Sequence, residues 1–413
     1  MQDKRITRLK YACYSANLTM SVVVNLSPIL FLTFRSLYGI SYSLLGLLVL
    51  VNFVTQLGID LIFSFFSHRF NIAKTVKAIP LIAACGFLVY ALWPFFFPNH
   101  VYVGLMVGTL IFAAASGFSE VLISPVIAAI PSKDPDREMS KLHSVYAWGV
   151  VIMVVVSTLF LLVAGNENWQ WLALLFAAMP IISALLFAGS DIPLIETPKG
   201  AAGAFSLLKN RGVWLCVLAI FLGGAAECTM AQWCSGYLEQ ALGIPKVWGD
   251  LAGVALFSVA LGLGRTLYAK IGKNIGRVLT LGAIGATACY LTVALTGVSW
   301  IGLAACAVTG FCTSMLWPGN LVVASSRFPA GGVFIYAMMA AGGDLGASVG
   351  PQLVGVITDG VIASERATSL ATTLGLTVEQ LGMKAGMLCA ALFPLIGIFV
   401  YLYIWRGARE KNG

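Results

Sequence analysis

The chain of 413 residues is 59% hydrophobic and only 10% charged, with a mean hydropathy of +0.91. Soluble domains carry about 25% charged residues, so this composition excludes a water-soluble globular protein. The formal net charge of +8 would suit nucleic acid, but the basic residues sit in the short gaps between apolar runs, which excludes that role and points to membrane topology.

The apolar runs fall near residues 11–34, 44–66, 76–97, 102–130, 142–164, 169–189, 213–238, 248–269, 278–297, 299–325, 333–358 and 382–405. A bilayer core about 30 Å thick needs about 20 apolar residues per helix. Lipid offers backbone groups no hydrogen bonds, so each run is a helix or a strand of a closed barrel. Barrel strands alternate polar and apolar over about 10 residues; these runs do not alternate and are longer. The expected fold is an all-α membrane protein with twelve transmembrane helices in two pseudo-symmetric six-helix bundles.

The first run follows Lys4, Arg5, Arg8 and Lys10. It is too long for a cleaved signal and reads as the first span; Asn25 lies within it. The second carries Gln56 and, toward its end, Asp60, ahead of Ser67-His68-Arg69. Asp60 reads as structural or gating, with Arg69 beside it in that role. The fourth carries Glu120 well inside the membrane. A carboxylate there is costly when charged and is a functional candidate by default; it can load and release a proton as access alternates. The fifth begins with His143, Tyr146 and Trp148.

The polar stretch 191–212, with Pro193, Pro198 and Gly200, divides the spans six and six. The expected domains are 1–190, a cytoplasmic linker 191–212, and 213–413. In the second half, Glu227 lies mid-span behind Gly223 and Gly224, with Gln232 and Trp233 following, and Asp344 lies between Gly343 and Leu345. Small neighbours let helices approach closely, so Glu227 and Asp344 read either as structural ties or as proton carriers. Arg265 is expected at a cytoplasmic helix end, in a gating role, with no Lys or Arg at mid-depth. A cavity so lined offers acids, the amides Asn25, Gln56, Gln232 and Asn320, and aromatics such as Tyr146, Trp233, Phe311, Trp317 and Tyr336. It suits a neutral or cationic solute better than an anionic one.

With the N-terminus in the cytoplasm, all but four of the 25 Lys and Arg residues fall on the cytoplasmic side; the exceptions are Arg35, Lys246, Arg366 and Lys384. A wrong span count would scramble that asymmetry. Both termini are therefore expected in the cytoplasm of a cell inner membrane protein. Gly117-Phe118 precedes Pro125 in the fourth span at the spacing by which Gly310-Phe311 precedes Pro318 in the tenth, as duplication of a half would leave. Proline bends helices, and matched bends suit two halves that rock about a central site.

The nine cysteines include no CxxC pair, so neither zinc nor a disulfide framework is expected. No HExxH, GxSxG or paired-His spacing occurs. The chain is expected to be no enzyme, to need no cofactor or metal, and to act as a monomer in the lipid bilayer without nucleic acid.

The two-half plan resembles the major facilitator superfamily. Within it, several stretches resemble the fucose permease group, the fucose–galactose–glucose:proton symporters: Glu120 ahead of Pro125, Leu142–Gly149, Gly224-Ala225-Ala226-Glu227 with Trp233, Tyr237 and Gly264-Arg265, and Thr313–Pro318. That resemblance implies alternating access and proton-driven sugar uptake. It implies Glu120 as a proton or sugar ligand, and places Gln232, Trp233, His143, Tyr146 and Asn320 at the cavity, with Trp317 beside them. The first span departs from the group, with Asn25-Leu26-Ser27-Pro28 carrying no acid; Glu227 and Asp344 are then the acids to which coupling would pass. Also, His68-Arg69-Phe70-Asn71 stands where the superfamily has Asp-Arg-x-Gly.

The leading expectation is a proton-coupled symporter of a neutral sugar-like small solute, with sodium open as the coupling ion. The alternative is a proton-coupled exporter of cationic or amphipathic compounds. A membrane-embedded enzyme lacks motifs, and a non-transporting sensor would bind without flux.

Overall fold

The computed structural model describes residues 2–66, 69–131, 135–193, 209–271, 274–328 and 332–409. Among these residues the ordered elements are helices: α1 Gln2–Ile29, α2 Phe31–Tyr38, α3 Tyr42–Phe66, α4 Ile72–Phe96, α5 Val101–Ala129, α6 Pro135–Ala164, α7 Trp169–Ala188, α8 Arg211–Leu242, α9 Leu256–Ile271, α10 Ile275–Leu295, α11 Ser299–Thr313, α12 Pro318–Arg327, α13 Gly332–Ile362, α14 Ala367–Leu374, α15 Val378–Ala390 and α16 Leu392–Arg409. A π-helical stretch, Gly249–Ala255, leads into α9.

Ten described helical stretches are long and apolar enough to cross a membrane. An eleventh crossing is α1 with α2, bent by 45° at Leu30 beyond Pro28. The remaining run is the apolar part of α6, Trp148–Ala164. Together they reproduce the twelve expected segments, and the fold is that of a twelve-helix membrane protein. The tenth segment is a helix pair, α11 and α12, separated by four turn residues before Pro318. Proline has no N–H to donate and cannot continue the α11 ladder. The carbonyl this leaves without a backbone donor, that of Ser314, accepts from Arg265 Nε at 3.0 Å, and the Asn320 side-chain amide donates to the Leu316 carbonyl at 2.6 Å. Pro125, its sequence counterpart, stays inside a continuous α5, so the matched prolines do not produce matched breaks.

The described chain divides into two compact units, residues 1–33 with 51–201 and residues 34–50 with 202–413. In the first, Tyr90 is fully buried. Its hydroxyl shares a 2.9 Å hydrogen bond with the Ser27 hydroxyl, and its ring stands edge-on to Trp169 at 5.8 Å. A Cβ at Gly108 would meet Tyr90, and one at Gly86 would meet the backbone of Phe112, so α4 and α5 approach through glycine from both sides.

In the second unit, α8 and α13 pack through a glycine stripe. Gly342, Gly346 and Gly350 recur every fourth residue and share one face of α13. Side chains there would meet Val217, the Phe221 carbonyl and Thr229 respectively. Such small-xxx-small faces bring membrane helices to backbone contact. The 34–50 segment is fastened to the same unit. Gly39, at φ +65°, turns the chain from α2 into α3. The backbone N–H groups of Tyr42 and Ser43 donate to the Asp359 carboxylate at 3.2 and 2.7 Å. An anion there complements the exposed N–H groups and dipole of the α3 N-terminus. Arg35 pairs with Glu379 and lies 4.0 Å from the Tyr42 ring centroid, and Gln240 donates to the other Glu379 oxygen at 2.8 Å.

Candidate functional site

In the first unit, the polar residues of α3 fall one turn apart. Asn52, Gln56 and Asp60 are all buried, at 3%, 2% and 3% exposure. Residues spaced by four share a helix face, so this is one polar stripe down an otherwise apolar helix. On α5, Ser116 and Glu120 have the same spacing. The Ser116 hydroxyl donates to Gln56 Oε1 at 3.0 Å. One turn further on, carboxylate oxygens of Asp60 and Glu120 lie within 4.8 Å of each other. Gly117 makes this approach possible, since a Cβ there would meet Ile59 and the backbone of Gln56. Glu120 is partly buried. The other site residues expected in this unit do not join the pair in any recorded bond. Asn25 is buried and donates to the Ser21 carbonyl of its own helix at 2.9 Å. Tyr146 is partly buried on α6 and Arg69 is exposed, with its guanidinium 5.5 Å from the Phe66 ring centroid. The side chains of His143 and Tyr336 lie outside the described residues.

In the second unit, Glu227 is not alone. Arg265 Nη2 donates to its two carboxylate oxygens at 3.1 and 3.4 Å, and Arg265 Nε donates to the Ser314 carbonyl at 3.0 Å. This corrects the expectation that no basic group reaches mid-span. The Arg265 backbone lies near the end of a span, but a long side chain carries its charge several ångströms along the helix. The pair ties α8, α9 and the α11 end together. Its carboxylate side is 13% exposed and its guanidinium side 43%.

Asp344 is buried at 3% on the glycine-rich part of α13. Gln232 is buried, and its Oε1 has no hydrogen-bond partner among the described residues. Trp233 is fully buried, and its indole N–H donates to the Pro351 carbonyl at 2.9 Å. Its ring lies 6.0 Å from that of Tyr42, which makes it a packing element of this unit. Asn320 is buried; besides Leu316 it donates to the Tyr401 hydroxyl at 3.4 Å. Trp317 is partly buried and abuts Gly224 and Gly343. Phe311 and Trp148 are exposed side chains on membrane helices, as lipid-facing anchors would be.

Sequence reasoning missed two features. One is the Gln56–Ser116 bond beside the Asp60–Glu120 approach. The spacing of four on both helices was its visible signal. The other is the polar cluster of Arg35, Gln240, Asp359 and Glu379, whose members are scattered along the chain with no motif.

Residues 12–351 match the Major Facilitator Superfamily. No curated protein matches the sequence. Among solved structures, the chain is similar to a mutant of the nucleoside transporter NupG, at 14% identity and a TM-score of 0.73, covering 97% of this chain and 99% of that one. A bacterial homolog of the human lysosomal transporter Spinster, inward-facing and occupied, gives 12% identity and a TM-score of 0.69, covering 98% and 97%. The E. coli fucose:proton symporter FucP gives 16% and 0.62, covering 96% and 98%. At these identities the likenesses speak for the fold, and the family match for descent: this chain belongs to the major facilitator superfamily.

Proposed function

We propose that the protein is a secondary transporter working by alternating access, and that it couples uptake of a neutral, sugar-like solute to proton entry. Residues 1–190 and 213–413, joined by 191–212, would be the two moving halves, with both termini in the cytoplasm. The observation that carries the coupling is Glu120, a carboxylate on a membrane-spanning helix beside a second carboxylate. Glu227, held by Arg265, and Asp344 are the acids of the second unit available to the same cycle. For the solute, the buried acceptor on Gln232 and the amide of Asn320 supply the hydrogen-bonding chemistry a hydroxylated molecule needs. The fold likeness to a fucose:proton symporter fits the same reading.

The test is uptake into proteoliposomes under an imposed pH gradient, with sodium present or absent. Accumulation driven by an inward proton gradient, without need for sodium, supports the proposal. Accumulation only against the proton flow would instead make the protein an exporter of cationic or amphipathic compounds. In the Glu120→Gln variant, gradient-driven accumulation should be lost while solute exchange persists; accumulation at the wild-type level would remove Glu120 from the mechanism.

A further inference from the structure

All nine cysteines are free thiols, and no spacing in the sequence pairs them. The fold of the second unit does. Its α10–α11 hairpin closes through glycine. Gly282, Gly285 and Cys289 are spaced by three and four and share one face of α10. A Cβ on Gly282 would lie 2.5 Å from the Cys312 carbonyl oxygen, and one on Gly285 would lie 2.7 Å from Cys312 Sγ. Cys312 therefore fills the notch those glycines leave, against the turn that precedes Cys289. Side chains of a helix lean toward its N-terminus and cover that preceding turn, so the Cys289 sulfur leans back onto Cys312. The two thiols are within hydrogen-bonding reach of each other, with the Thr309 hydroxyl beside Cys289.

Exposure is the second observation. Both residues are half-buried. They adjoin the exposed Ile284 of α10 and the exposed Val308 and Phe311 of α11, so the pair opens on the apolar flank that a membrane helix presents to lipid. A second pair, Cys234 of α8 and Cys306 of α11, is also in side-chain contact, but both members are at 0% exposure. Access separates the two pairs.

We propose that Cys289 and Cys312 are an oxidisable dithiol, a modification site that a lipid-soluble hydroperoxide closes to a disulfide between α10 and α11. One sulfur attacks the terminal peroxide oxygen and the O–O bond breaks. A sulfenic acid forms, and the thiol proton leaves on the alcohol. The second sulfur then attacks the sulfenic sulfur; the S–S bond forms, and the hydroxyl leaves with the second thiol proton as water. The thiols lose two electrons and the peroxide gains them. A reducing dithiol restores the pair by exchange. Closure fixes α10 to the end of α11 whose Ser314 carbonyl accepts from Arg265.

This site is independent of the transport reading, and its test needs no transport. The full-length protein in liposomes is exposed to cumene hydroperoxide, then unfolded and alkylated with N-ethylmaleimide without reductant. Peptide mass mapping of the monomeric chain should show Cys289 joined to Cys312, both lost to alkylation and both returned by dithiothreitol. Cys234 and Cys306 should remain alkylatable. In Cys289→Ser, Cys312 should stay unbridged. The decisive readout is on the wild-type chain, so it does not depend on a variant folding. Wild-type Cys289 and Cys312 that remain free thiols after the treatment would overturn the inference. So would a bridge at the buried pair instead, or one joining Cys312 to any cysteine other than Cys289.

Discussion

A Cβ placed on Gly346 tests the close contact between α8 and α13. That atom would lie 2.9 Å from the Ala225 nitrogen and from the Phe221 carbonyl carbon, and closer still to the Phe221 oxygen. Ordinary contact begins near 3.4 Å, and every one of these neighbours is backbone inside a helix, unable to swing aside like a side chain. Gly346→Ala must therefore push α13 off α8 by about half an ångström or more in a tightly packed seam. Overpacking of this kind costs about 1–3 kcal/mol.

Replacing a helical glycine with alanine also contributes about 1 kcal/mol of helix propensity in the opposite direction. Gly360→Ala isolates that gain, because it lies on the same helix and a Cβ there meets nothing within 4 Å. The difference between the two variants is then the clash alone. At about 2–4 °C per kcal/mol for a domain of 150–250 residues, Gly346→Ala should melt roughly 5 °C below Gly360→Ala. Tryptophan-fluorescence melting of the two proteins in the same detergent measures this. Equal midpoints would refute the backbone-to-backbone contact.

Two further outcomes follow from the second unit. Arg265→Gln and Glu227→Gln should each destabilise, and a double-mutant cycle on melting should give a coupling of about 1 kcal/mol, kept small by the exposed guanidinium; no coupling would place Arg265 off Glu227. Trp233→Phe removes the indole donor to the buried Pro351 carbonyl and should cost about 0.5–1.5 kcal/mol, read as a lowered melting midpoint, whereas exposed Trp148→Phe should change it little.

The helices were legible because lipid forces each span to be long, apolar and self-bonded, and that constraint is written residue by residue. The bend after Pro28 and the break before Pro318 follow from proline chemistry. That Pro125 stays within a helix while Pro318 starts one did not follow, because it depends on who takes the freed carbonyl, and at Pro318 that is Arg265, from a different helix. Glu120 stood out as an acid in lipid. Its approach to Asp60 did not, since pairing across two helices depends on their rotation and on Gly117 permitting contact. Arg265 was placed by its backbone, and the reach of its side chain toward Glu227 was invisible in a linear text. The grouping of 34–50 with 202–413 was equally hidden, since sequence order assigns those residues to the first half.

That grouping bears on any attempt to take the protein apart. A cut within 191–212 would divide the sequence between its two sets of six spans, yet it would not divide the material along its seams. The C-terminal piece would keep the carboxylates of Asp359 and Glu379 but lose the Tyr42 and Ser43 amides and the Arg35 guanidinium that now receive them. The other piece would carry the matching donors on α2 and the first turn of α3. Each fragment would hold half of a recognition element for the other.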